Sequence, residues 1–409
     1  MRKTEFYEIA VKSGFYGLDK SGLTGKKDNV RKYWEDISIK VAIQPIIKEL
    51  LETRDMLRIV DLGSGSGEGY ELLTHIPHIK TSKSEEPFIL GKNQIQRYDG
   101  IDISPAMVAK GKENYKDKNH IRFYQGDLAK GFPLSQEPSY DIYFSSYCSL
   151  SHLTSLELEL LSSEVFTHAD KGSFIVYDLH GRLSPEWPIY WDKTSEQQYP
   201  YNMAYLLPLE KQDPKKVDWF NVTYWSSEEL TRSILNASVK AGKKVSMVFL
   251  KDRSILIGRH MDTKLFKAER FRARKEVNHL FDRDYRGKVP KLRLNLDYLN
   301  EYQSINKTAF ERINYYYSQW SAIIEILDAL IKRDDLRVKQ LIESSPEELS
   351  AEMKMLAWLY RNADRFPVVD FWASVMGPQA ACVLRNLELG LPDGLGCGHS
   401  ILCIVRVDE

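Results

Sequence analysis

The chain has no excess of charge of either sign: 57 Lys and Arg stand against 57 Asp and Glu. A chain built to hold a nucleic-acid backbone usually shows a basic surplus, so no nucleic-acid partner is expected, although a local basic stretch runs from Lys264 to Lys275. Cysteine is scarce. Four in 409 residues (Cys148, Cys382, Cys397, Cys403) do not make a disulfide framework and point to a reducing compartment. Cys397, His399 and Cys403 lie close in sequence, but their spacing matches no structural zinc pattern, so no metal ligand set is expected. Long apolar runs are missing too: no window approaches about eighteen consecutive apolar residues. The stretch Met1 to Ala10 is charged and mixed, without an apolar signal core. Neither a signal peptide nor a membrane partner is expected, and a cytoplasmic location is. No repeat and no low-complexity tract is present.

What is there is ordinary for a protein that buries a core: 43% apolar and 28% charged residues, in a length that allows two domains. The chain is organised around Ile59-Val60-Asp61-Leu62-Gly63-Ser64-Gly65-Ser66-Gly67, an apolar run ending in an acid, then three alternate glycines before a helix-like segment, Glu68 to His75. This predicts a buried strand, a tight turn and a helix whose N-terminus faces a ligand. A dinucleotide fingerprint requires G-x-G-x-x-G; counting from Gly63 puts Glu68 in the third glycine slot, and counting from Gly65 puts Tyr70 there. A nicotinamide-dependent dehydrogenase is therefore disfavoured.

In chain order, residues 1–28 read as a lead-in. From Asn29 the residues Tyr33, Trp34, Ile37, Val41, Ile46, Ile47 and Leu50 recur at helical steps, with Pro45 expected to break or kink the helix. Tyr33 and Trp34 are expected to pack on the following sheet, or else to sit on a helix that closes over a ligand. Residues 75–97 read as a polar insertion. Strands are then expected at Tyr98 to Ser104, Ile121 to Gln125, Tyr140 to Ser146 and Ser173 to Leu179, with helices at Pro105 to Tyr115 and Ser155 to His168. Five alternations of strand and helix imply a parallel sheet, with ligands beyond the carboxyl ends of its strands. Residues 182–221 form an aromatic insertion, read either as a substrate cover or as a cluster packed on itself. Ser226 to Glu229 opens a helix ending near Gly242, and Lys244 to Leu250 with Ser254 to Arg259 reads as a hairpin closing the sheet. Residues 263–409 are expected to form a mostly helical region for substrate recognition or dimerisation, with Ser400 to Val407 strand-like.

The glycine stretch, Tyr98 to Ser104, Gln125-Gly126-Asp127-Leu128 and Tyr140-Asp141 to Ser146 together resemble, in order, the motifs of class I S-adenosylmethionine-dependent methyltransferases. The resemblance covers roughly residues 30 to 260. It implies an α/β fold, a Rossmann-like doubly wound sheet with a terminal antiparallel hairpin in a domain spanning 29–262, and S-adenosylmethionine as cofactor. It implies cofactor contacts from Asp61, Gly63, Ser64, Gly65, Gly67, Asp102, Ile103, Asp127, Leu128 and Ser145: glycines against the methionine part, Asp61 on the ammonium, Asp102 on the ribose hydroxyls, Asp127 and Leu128 at the adenine. The spacing departs from the pattern, since 102 − 61 = 41 positions separate two acids usually about 20 apart, and the 75–97 insertion accounts for the excess. Tyr147, His152 and His180 are candidate proton acceptors or orienters near the strand ends, and Arg182 a candidate holder of an anionic group. The absence of an obvious dyad favours a carboxylate acceptor, which needs no base.

The lead-in, with Lys27 to Val30 and Tyr33 to Asp36, the Trp/Tyr-rich insertion and the C-terminal appendage resemble methyltransferases that esterify the C-terminal carboxylate of lanthipeptide precursors. That resemblance implies a peptide substrate; otherwise another small molecule is the acceptor, or the chain is a non-catalytic cofactor-binding subunit.

Overall fold

The computed structural model describes residue 11 and residues 28–78, 87–267, 270–282 and 288–409. Most of the expected lead-in and the middle of the 75–97 insertion lie outside the described residues.

Seven strands form one sheet in the order β3-β2-β1-β4-β5-β9-β8. They are β1 (Leu57–Leu62), β2 (Ile95–Asp102), β3 (Ile121–Gln125), β4 (Ile142–Phe144), β5 (Phe174–His180), β8 (Val245–Arg253) and β9 (Ser400–Val407). The first five are parallel, and β9 runs antiparallel between β5 and β8. The parallel strands read as near-continuous apolar runs because helices cover both faces. On one face α1 (Asp36–Leu51) and α2 (Glu68–Thr74) pack through Ile39, Ile43, Ile47 and Tyr70. On the other, α4 (Ser155–His168) and α5 (Ser227–Ala241) pack through Leu158, Leu161, Leu230 and Ile234. α3 (Pro105–Asn114) joins β2 to β3 and is capped by Ser104 Oγ, which accepts from Met107 N at 3.3 Å.

Capping follows the sequence closely. Thr154 with Glu157 and Ser226 with Glu229 both form reciprocal capping boxes. α5 stops at Gly242, whose φ of 65° is the left-handed conformation a helix end uses. Pro45, by contrast, does not break α1. The carbonyl its missing N–H leaves without a helical partner belongs to Val41, a residue on the exposed side of the helix, open to solvent.

The hairpin is where sequence and structure part. The strand paired with β8 is β9, not Ser254 to Arg259; Ile255, Leu256 and Ile257 instead enter the core of the helical region. That region, α6 (Ala273–Leu280), α7 (Lys307–Lys332), α8 (Asp335–Ser344), α9 (Glu347–Arg361) and α10 (Gly377–Leu389), is therefore threaded between two neighbouring strands rather than appended after the sheet. Trp34 belongs to the same core. It lies 6.4 Å from Trp320 between ring centroids and donates Nε1 to Glu388 Oε1 at 2.9 Å, while exposed Tyr33 stacks on Phe281. Neither packs on the sheet as expected. The helical region presents them with larger apolar partners. No helix among the described residues is long and apolar enough to cross a membrane.

Candidate active site

β1 and β4 are neighbours whose following helices lie on opposite faces, so the crevice at their carboxyl ends is the switch point of the sheet. The glycine turn sits there. Gly63, Gly65 and Gly67 all have positive φ (81°, 53° and 98°), which side chains rarely tolerate. A Cβ on Gly65 would meet nothing within 4 Å, so its backbone lies open to a ligand. Gly63 N and Ser64 N both donate to Ile101 O at 2.9 Å, locking the turn onto β2.

Asp102 closes this corner. Its Oδ2 accepts from Gly65 N at 2.9 Å and its Oδ1 from Ser104 N at 2.8 Å. Each oxygen keeps a lone pair for a further donor, which suits a vicinal diol. Burial raises its pKa, and the two N–H groups oppose that. Beside it Ile103 exposes an apolar side chain, and Asp127 Oδ1 accepts from Ala129 N at 3.2 Å to cap the turn containing buried Leu128. Asp61 is buried, and its Oδ2 accepts from Tyr98 OH. Burial raises its pKa to about 7 although that hydrogen bond lowers it. Tyr98 was not singled out from sequence, yet alternation places Tyr98, Gly100 and Asp102 on one face of β2. Gly100 leaves room there for Ser64 Oγ, which a Cβ would meet at 2.7 Å. Ser64 Oγ and Ser145 Oγ are buried without hydrogen-bond partners among the described residues. Open backbone at Gly65, an exposed apolar side chain at Ile103, a carboxylate with spare lone pairs and two unpartnered hydroxyls fit an amphipathic nucleoside.

The candidate catalytic residues separate into two groups. Tyr147 follows β4 with φ of 56°, and Cys148 continues at 62°. Such conformations cost on the order of 1–3 kcal/mol each and mark functional turns. Tyr147 N donates to Asp178 Oδ2 at 2.6 Å and its hydroxyl to Asp36 Oδ1 at 2.7 Å, with the Arg31 guanidinium 3.9 Å above its ring. Arg31 also pairs with Glu68 of α2, so the turn Arg31–Glu35 and the start of α1 lie across the glycine-turn helix. His152 stacks on Phe220 of the insertion at 5.2 Å, and burial lowers its pKa to about 4, so it is neutral and a weak base. His180 ends β5, buried among Trp187, Tyr201 and Tyr224, with its pKa driven well down by burial. Arg182 does not face an acceptor. Its Nε and Nη2 donate to Glu229 Oε2 at 3.1 and 2.9 Å and its Nη1 to Trp191 O at 2.9 Å. It ties the insertion to the capping box of α5, because a buried guanidinium needs those partners.

The insertion packs as an aromatic cluster. Its short hairpin, β6 (Tyr199–Tyr201) and β7 (Phe220–Val222), joins Trp187, Tyr190, Tyr224 and Phe266 in one apolar group whose rings stand against His180, His260 and His399. Beneath it runs a buried ion network: Asp178 to Arg253 at 2.5 Å, and Glu35 to Arg259 and Arg274 at 3.2 and 2.7 Å. Arg259 Nη1 also donates to Tyr205 OH at 2.9 Å, while its Nε is buried without a partner among the described residues.

The strand order defines the class: a Rossmann-like methyltransferase fold, with the glycine–acid corner at the carboxyl ends of β1 and β2. Residues 89–172 match the family model described as a methyltransferase domain. No curated protein matches the chain. Among solved structures it is similar to an S-adenosylmethionine-dependent methyltransferase from Clostridium acetobutylicum, at 11% identity over 54% of this chain and 83% of that one, with a TM-score of 0.34. It is similar to another from Mesorhizobium loti, at 16% identity over 52% and 85%, with a TM-score of 0.34. The fold assignment rests on the strand order itself. The match to a methyltransferase domain falls on the stretch from β2 through α4.

Proposed function

We propose that the chain methylates a small molecule or peptide bound between the aromatic insertion and the ends of β4 and β5, at a carboxylate oxygen. The observation that carries this reading is Arg259, whose Nε–H is buried without an acceptor beside Tyr205 of the insertion. An unsatisfied buried donor costs about 1–3 kcal/mol, more when charged, and an arriving carboxylate relieves it. S-adenosylmethionine supplies a methyl group on a sulfonium, a good leaving group. The protein's residues align the acceptor and exclude water. Asp102 and the Gly65 backbone fix one side, and the rings of Tyr201, Tyr205 and Phe220 enclose the other. An ionised carboxylate needs no base, so neutral His152 serves to orient it. A hydroxyl or amine acceptor is the second reading, in which His152 takes the proton; its neutral form has the lone pair for that, but a pKa of about 4 makes it a weak base, which favours the carboxylate reading.

The narrower form of the proposal, the C-terminal carboxylate of a modified peptide, rests on the resemblance of the lead-in and insertion alone. The even charge balance supports a small acceptor over a nucleic acid. Transfer of a labelled methyl group into pools of carboxylic acids and peptides, with mass spectrometry, tests the reading. A product one methylene heavier that alkali hydrolyses supports an ester; an alkali-stable product moves the assignment to the second reading. Cofactor binding without transfer to any pool would leave a cofactor-binding subunit.

A further inference from the structure

Cys148, His180 and His399 stand far apart in sequence and meet at the carboxyl ends of β4 and β5 and the start of β9, three strands that are neighbours in the sheet. One ligand atom from each lies within 4.8 Å of the other two, and all three residues are buried. The backbone is shaped to deliver them. Cys148 sits in the left-handed pair after β4. His399 follows a loop whose Leu395, Gly396 and Cys397 N–H groups all donate to the Asp252 carboxylate, at 2.8 to 2.9 Å.

The histidines are oriented. His399 Nδ1 lies 2.7 Å from Oε2 of fully buried Glu186, so Nδ1 carries the proton and Nε2 keeps its lone pair. That Nε2 is buried without a partner among the described residues. His180 Nδ1 is 3.3 Å from the His399 carbonyl, leaving its Nε2 as the free acceptor. Glu186 is itself held: Oε1 accepts from His260 N, Oε2 accepts from Ser184 Oγ at 3.4 Å, and Gly258 supplies the space that any Cβ would fill. A histidine kept only for packing would not leave a buried nitrogen unpaired. A cysteine–histidine nucleophile pair would use that nitrogen in a hydrogen bond to sulfur, and it has none.

We propose that Cys148, His180 and His399 bind a divalent cation of the zinc class, with Glu186 as the carboxylate that orients His399 and a fourth position open. One thiolate with two imidazoles is a donor set that zinc takes tetrahedrally, and three protein ligands leave the fourth site for water or substrate. Tetrahedral bonds to zinc place such ligand atoms about 3.4–3.6 Å apart, so the cluster closes by roughly 1 Å on binding. Binding releases the Cys148 proton to solvent. The charges then balance within the site: two positive on the metal against one on the thiolate and one on Glu186. Ser149, next to Cys148, donates Oγ to Gly63 O at 3.1 Å, so the cluster abuts the glycine turn on its acceptor side. On the methyl-transfer reading, the open position takes a lone-pair atom of the acceptor. Cation binding itself does not depend on that reading.

The full chain, stripped with a chelator and titrated with Co2+, is expected to take up one equivalent with a thiolate-to-cobalt charge-transfer band and the intense visible bands of a tetrahedral site, and Zn2+ is expected to displace it. Cys148→Ser should abolish the charge-transfer band. His180→Gln and His399→Gln should weaken binding at least about 100-fold, and Glu186→Gln about 10- to 100-fold with the spectrum retained. A folded protein that shows no such spectrum, or a spectrum that survives Cys148→Ser, overturns the site. Should Cys148→Ser not fold, the cadmium NMR shift of Cd2+-loaded wild type decides: a mixed sulfur–nitrogen value supports the site and an all-oxygen value overturns it. S-adenosylmethionine titration of the metal-free protein is read in parallel, so failure of the cofactor reading and failure of the metal site are distinguishable.

Discussion

Asp102 stands between two tasks, holding the glycine turn through Gly65 N and offering its remaining lone pairs to the cofactor. Charged hydrogen bonds contribute about 1.5–3 kcal/mol each, so losing two predicts at least about a 100-fold weaker S-adenosylmethionine affinity in Asp102→Ala, measured by titration calorimetry. Asp61 makes a different prediction. With its pKa pushed to about 7 by burial, it is partly protonated at neutral pH. A cationic ammonium placed against it favours the ionised form, so cofactor binding expels a proton wherever the free protein holds one. Affinity should therefore rise with pH, by about tenfold per unit below about pH 7, and level off above. In Asp61→Asn the profile should be flat over that range. A slope that persists in the variant assigns the proton to another group.

At the scale of elements, the tie between sheet and helical region is Glu388 of α10. Its carboxylate accepts from Trp34 Nε1 and from the backbone N–H groups of Ser254 and Ile255, at 2.8 to 2.9 Å. Glu388→Ala leaves three buried donors without an acceptor. That predicts a loss on the order of 3 kcal/mol or more, read from denaturant unfolding. What was legible in sequence follows the same division. Periodicity and caps placed β3, α4 and α5 because their signals are local: Thr154 with Glu157, Ser226 with Glu229, and Gly242 at the helix end. The positions of Asp61, Asp102 and Asp127 were legible for the same reason, since each lies at or just beyond a strand end. Arg182 and Trp34 were misread because each is claimed by a partner distant in sequence, Glu229 and Glu388. The same distance hid Cys148, His180 and His399, which share no spacing pattern; only the sheet order makes them neighbours.

For the whole molecule, what matters is the route of the chain. Between β8 and β9 lie residues 254–399, 399 − 253 = 146 positions, and the helical region occupies them. A chain cut after residue 262 would retain every residue of the expected methyltransferase domain yet lack β9. β5 would keep a bare edge, and β8 would have no neighbour. Such a chain is expected to be insoluble or unfolded by circular dichroism. A chain in which a short linker replaces the region but keeps β9 retains the sheet's pairing, although it exposes apolar surface around Ile255, Leu256 and Ile257. If the cut chain folds and binds S-adenosylmethionine as well as the whole, β9 is dispensable and this account of the sheet fails.

The position of β9 also sets a clock. A ribosome adds about 5–20 residues per second, so on the order of ten seconds or more separates the emergence of β8 from that of the strand it must pair with. Through that interval β5 presents an unpaired apolar edge, the kind of surface on which nascent chains stick to one another. Newly made protein should therefore depend on whatever shields such edges in the cell, and its yield should suffer more from slowed elongation across residues 254–399 than from the same delay earlier in the chain.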